Sequence, residues 1–151
     1  MFLYKKAFTL LELLIAISII MAVLFMSFNF FIKFGQKDAL EKDKAGLISL
    51  MRNARLLSVA SKDATAFGVH LESSKAVLFQ GGTYVAGGAN EKVMEFSKYV
   101  VMSGYALSQG TADIVFSRLT GNISNYGNIT LSLTDNSTST MITILQTGVV
   151  Q

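Results

Sequence analysis

The chain has 151 residues, 51% of them hydrophobic, and a formal net charge of +3. It has no cysteine, which excludes disulfide scaffolds, thiolate metal sites and cysteine nucleophiles. The length suits one modest domain plus an accessory element, and so oily a composition requires the apolar excess to be localised.

The excess lies near the start. Lys5 and Lys6 precede a stretch, LLIAISIIMAVLFMSFNFFI, that runs from Leu13 to Ile32 without a formal charge. As a helix it would rise ~30 Å, the thickness of a bilayer core. A cleavable secretory signal would be shorter and would end at a small-x-small site. Lys33-Phe34-Gly35-Gln36-Lys37 follows instead. The expectation is a membrane helix whose start is held on the cytoplasmic side by Lys5 and Lys6. Glu12 is the anomaly, because an acid inside an apolar segment needs a partner or a hydrated edge.

The helical pattern continues through KFGQKDALEKDKAGLISLMRNARLLSVASKDA. Leu40, Leu47, Leu50, Met51, Ala54 and Leu57 recur at three- and four-residue spacings and form one apolar stripe. Lys42, Lys44, Arg52 and Arg55 lie mostly off it and read as a solvated face. The pattern predicts a helix to about Ser61, with Gly35 a candidate bend. Gly35 and Gly46 each weaken it by about 1 kcal/mol relative to alanine.

From Ala64 the pattern becomes short strands between polar turns. ATAFGVHL and KAVLFQ flank Glu72-Ser73-Ser74 as a hairpin. KVMEFSKYVVMS and DIVFSRL follow. NITLSLTD and STMITILQ are joined by Asn136-Ser137. The reading is an antiparallel β domain of about 90 residues, small for independent stability and completed by docking the helical stripe. His70, the sole histidine, alternates with Val69 and Leu71 and is expected to face solvent. Glu91 and Glu95 are expected at the surface. Gly81-Gly82 and Gly87-Gly88 lack the lysine and helix of a phosphate loop. Residues 62–151 carry five lysines and arginines against six acids, which disfavours nucleic acid as a partner of this part.

The run KKAFTLLELLIAISII resembles the N-terminus of type IV prepilins and type II secretion pseudopilins: a short basic leader, a small residue, Phe-Thr-Leu-x-Glu and an apolar helix. The resemblance covers about 25 residues. It implies a leader over residues 1–7, cleavage by prepilin peptidase between Ala7 and Phe8, and N-methylation of Phe8. It also implies an assembly contact in which Glu12 meets the new amine of Phe8 on a neighbouring subunit. Two charges that are costly alone in low dielectric become tolerable when paired. Two departures stand out. Ala7 occupies the place of the usual glycine, and Asn29 that of a proline found in many major pilins.

Ile114-Val-Phe116, Gly121, Ile129-x-Leu131, Met141-Ile-x-Ile144 and Gly148-Val149 resemble, more loosely, the GspH/FimT group of minor pilins and pseudopilins. The expected fold is therefore α+β, a long N-terminal transmembrane and stalk helix packed on an antiparallel sheet. The expected segments are 1–7 leader, 8–32 transmembrane and assembly helix, 33–61 its amphipathic continuation and 62–151 the β domain. The resemblance implies a structural subunit, with no reaction, cofactor or metal. Its partners would be prepilin peptidase, other pilin or pseudopilin subunits, an inner-membrane assembly platform and membrane lipid. The implied location is the inner or cytoplasmic membrane as a single-pass protein, with the β domain on the periplasmic or extracellular side, and then the pilus or pseudopilus after assembly. The alternatives are a DNA-uptake subunit, and an uncleaved single-pass protein whose β domain binds an extracellular ligand.

Overall fold

The computed structural model describes residues 9–88 and 90–151, the side chains of residues 27–32 excepted. The apolar run and the amphipathic run form one helix, α1 (Leu10–Val59). Seven strands follow: β1 (Phe67–Leu71), β2 (Lys75–Gln80), β3 (Lys92–Glu95), β4 (Val100–Leu107), β5 (Asp113–Phe116), β6 (Gly127–Leu133) and β7 (Ser139–Ile144). The chain divides into two compact units, Met1–Gly35 and Gln36–Gln151.

Among the described residues no helix is long and apolar enough to cross a membrane. This overturns the expected transmembrane helix over 8–32 and the single-pass placement in the inner or cytoplasmic membrane. Glu12, in the first turn of α1, places a carboxylate within the apolar stretch, where a charge is costly to a membrane span. The architecture is an α+β fold with an N-terminal helix and antiparallel sheets. α1 continues through Gly35, the expected bend. The side chain of Asn29 lies outside the described residues.

In the second unit the strands form two antiparallel sheets, ordered β3-β2-β1-β5 and β4-β6-β7. The run KVMEFSKYVVMS splits between them. β3 pairs with β2, whereas β4 pairs with β6. The β1–β2 and β6–β7 hairpins form at the expected turns.

One core serves both sheets. Leu40, Leu47, Leu50, Met51 and Ala54 of α1 are buried, with Leu57 packed at the margin. They meet Phe67, Val69, Leu71, Ile114 and Phe116 from the first sheet and Ile129, Leu131, Ile142 and Ile144 from the second. Fully burying each large aliphatic side chain contributes about 1.5–3 kcal/mol. Gly46 of α1 faces this packing: a Cβ there would collide with the flexible end of Met94.

Polar bonds fix where α1 stops. The backbone turns left-handed at Ser61, Asp63 and Ala64, a conformation that costs roughly 1–2 kcal/mol per non-glycine residue. Buried Ser58 holds this exit. Its Oγ accepts from the Phe67 N–H at 2.8 Å and donates to the Phe67 carbonyl at 3.3 Å. Its own carbonyl accepts from the Leu119 N–H at 3.0 Å. Higher on the helix, buried Asp43 accepts from the Ser97 N–H at 2.7 Å.

The two glycines of the C-terminal pattern have a steric cause. Gly121 and Gly148 have φ of 68° and 75°. Their turns cross over Arg55 of α1, so a Cβ at either would meet the Arg55 side chain, and at Gly148 also the Gly121 carbonyl.

Ser58→Ala leaves the Phe67 N–H buried without its acceptor. The expected loss is about 1–3 kcal/mol of unfolding free energy, read from urea denaturation with an unchanged slope.

Candidate functional site

The first candidate is the N-terminal segment. Ala7 and Phe8, the expected cleavage and methylation residues, lie outside the described residues. Thr9 precedes the helix, and its Oγ1 accepts from the Glu12 N–H at 3.3 Å. Its carbonyl accepts from the Leu13 N–H at 3.2 Å. Thr9-Leu-Leu-Glu12 is therefore a helix N-cap followed three residues later by an acid, the capping-box pattern. The bond shown uses the Glu12 backbone N–H and Thr9 side chain. A carboxylate in the first turn is favoured by the positive end of the helix dipole.

Beyond the cap the segment is apolar on all sides. The large hydrophobic side chains at positions 10–26 are 49–81% exposed. Ser18 turns its hydroxyl back to the Leu14 carbonyl at 2.8 Å, which removes one polar group from the surface. Glu12 is the only charged side chain in this stretch and is itself exposed.

The second candidate lies on the outer face of the β3-β2-β1-β5 sheet. His70 does not face solvent, contrary to expectation. It pairs across the β1–β5 ladder with Asp113, its Nδ1 lying 2.5 Å from Oδ1. Its ring stacks on Tyr84, with centroids 4.1 Å apart and planes 12° from parallel. Tyr84 also tilts against Phe79 at 5.6 Å, and its N–H donates to Asp113 Oδ2 at 3.3 Å. The segment after β2 thus folds back over the outer face. That cover buries Val77 and Phe79 as well as the inward-facing residues, so simple alternation along β1 and β2 gave the wrong environment for His70. Glu91 is half-buried and accepts from the Gly88 N–H at 2.9 Å, while Glu95 is exposed.

Two arginines are committed to the fold. Arg52 donates to the Val150 carbonyl at 3.3 Å, and Arg118 to the Ala64 carbonyl at 3.0 Å. Among the described residues no group of three or more histidines and acids is placed to hold a metal ion.

The family model described as a prokaryotic N-terminal methylation motif matches residues 3–28. The chain therefore carries an N-terminal methylation motif typical of prepilin- and pseudopilin-type proteins, consistent with a type IV pilin-like superfamily. No curated protein and no solved structure matches the chain.

Asp113→Ala removes the acceptor that pins Tyr84. Amide exchange at Tyr84 is expected to speed up about tenfold, the equivalent of one ordinary hydrogen bond. Exchange at Val69 and Ile129, in the core, should not change.

Proposed function

We propose that the chain is a minor subunit of a pilin- or pseudopilin-type filament, of the GspH/FimT kind, whose role is structural. Prepilin peptidase cleaves between Ala7 and Phe8, and the new N-terminus is methylated at Phe8. The observation that carries this reading is a coincidence of position. The methylation motif at residues 3–28 coincides with a helix whose apolar side chains at positions 10–26 are exposed on every side. A helix that is apolar all round is one destined for burial, and helices of like subunits, bundled together, would supply that burial.

Glu12 supports the same reading. In a bundle of apolar helices its carboxylate would be expensive unless paired. Cleavage after Ala7 creates a positive amine one residue before the Thr9 cap. An incoming subunit can then be admitted only in a register that brings Glu12 to such an amine, so the pair selects register and adds little net stability. The cap leaves the carboxylate exposed for this use. The paired glycines at 121 and 148, with the strands around them, support the narrower assignment to the GspH/FimT kind.

Mass spectrometry of the protein from its native host tests maturation. The expected N-terminus is Phe8 carrying one methyl group, and an abundant form that retains Met1 would sink the reading. Glu12→Gln keeps shape and cap while removing the charge. It is expected to reduce recovery of the subunit in sheared filaments by about tenfold or more, since leaving a buried charge unpaired costs several kcal/mol. Recovery equal to wild type would refute the pairing.

A further inference from the structure

The outer face of the β3-β2-β1-β5 sheet carries a second feature, independent of the N-terminal segment. Beside Asp113 lies a cleft of about 400 Å³, within the ~300–1,000 Å³ range of small-molecule sites. Its floor is the outward side of β5. Asp113, Val115 and Ser117 alternate there with Ile114 and Phe116, which point into the core. Thr83, Gln109, Thr111 and Ser124 also line it. We infer that this cleft binds a neutral polyhydroxylated ligand, a short stretch of glycan.

The lining selects that chemistry by elimination. Among the described residues no lysine or arginine lines the cleft, so phosphate, sulfate and carboxylate ligands find no counter-charge there. Val115 is its one large apolar side chain, too little for an apolar ligand. Asp113 is its one acid, too little to hold a cation. What remains is a set of hydroxyls, an amide and a carboxylate. Serine and threonine hydroxyls and the glutamine amide both donate and accept, as sugar hydroxyls do.

The groups are also held in place. Asp113 is fixed by His70 at Oδ1 and by the Tyr84 N–H at Oδ2. Each oxygen keeps a further lone pair for a ligand hydroxyl. Gln109 and Thr111 are tied to the floor by Asn125, which is 3% exposed. Its Oδ1 accepts from the Gln109 N–H, and its Nδ2 donates towards the Thr111 carbonyl, Thr111 Oγ1 and the Asp113 carbonyl, each at 2.9 Å. Gln109, Ser117 and Ser124 are exposed, and their side chains make no hydrogen bond to other described residues. Asn125 thus fixes the backbone at Gln109 and Asp113 and the Thr111 side chain, and His70 and Tyr84 fix the Asp113 carboxylate; preorganisation of that part lowers the cost of binding, while the exposed side chains exchange water for ligand hydroxyls.

The test is a titration of the full-length, nitrogen-15-labelled chain in a phosphocholine detergent, which has no sugar headgroup to compete. The probes are hexasaccharides of α- and β-linked glucose, N-acetylglucosamine, mannose and xylose, each taken to about 10 mM, past the millimolar affinity expected of a shallow site. At least one probe is expected to give saturable amide shifts confined to Thr83, residues 109–113 and residues 124–125. Gln109→Ala removes an exposed side chain and preserves the fold; it should weaken that binding about tenfold, as should Asp113→Asn. A sulfated hexasaccharide should give no shift there. The inference is overturned if no neutral probe shifts these amides, if calcium alone does so in their place, or if Gln109→Ala binds as tightly as wild type with an unchanged spectrum.

Discussion

The second half of α1 is the wall that both sheets share. The inner faces of a four-stranded and a three-stranded sheet both contribute to the core that this wall completes. Leu40, Leu47, Leu50, Met51 and Ala54 supply the wall. A β domain of this length buries too small a fraction of its surface to be secure alone, so the helical stripe is part of the domain and not an attachment to it. The remaining features of the second unit follow from holding that contact in one register. Ser58 fixes the helix end to β1, Asp43 fixes its middle to the segment between β3 and β4, and the glycine turns at 121 and 148 close over Arg55.

The same helix changes character along its length. Within the second unit it has one buried face and one polar face, as a helix packed on sheets should. At positions 10–26 it has no polar face at all, and its side chains are exposed throughout. Those residues are not explained by the fold of the chain itself. They coincide with the N-terminal methylation motif at residues 3–28, typical of prepilin- and pseudopilin-type proteins, and the proposed bundling of like subunits would supply their burial. Glu12 belongs to both levels. Its N–H completes the local cap with Thr9, and in the proposed assembly its carboxylate would meet a neighbouring amine.

Much of this was legible from residue spacing. The three- and four-residue recurrence from Leu40 to Leu57 located the docking face because helix periodicity is set by backbone geometry alone. The hairpins at Glu72–Ser74 and around Asn136 were legible because turn residues between alternating runs signal a local reversal. The Thr9 cap is equally local, but the apolar spacing that located the helix carried no sign of it. The limits appear wherever the environment of a residue depends on chain that is distant in sequence. His70 alternates like a surface residue, yet it is half-buried because Tyr84 and Asp113 close over it. KVMEFSKYVVMS reads as one run, yet its two parts pair with different strands. A count of uncharged residues suggested a membrane span, whereas among the described residues no helix is long and apolar enough to make one.

The sequence by itself determined the helical docking stripe, the β1–β2 and β6–β7 hairpins and the motif at the N-terminus, because each depends on contacts within a few residues or on a short chemical signature. Only the tertiary structure decided which strands share a sheet, why two distant glycines are needed over Arg55, and which polar groups gather beside Asp113. Those are consequences of segments meeting in space: Asn125 reaches Gln109, Thr111 and Asp113, and His70 reaches Asp113, only after the chain has folded. Hydrogen bonds between residues far apart in the chain leave no periodic trace in sequence, and the cleft is made almost wholly of them.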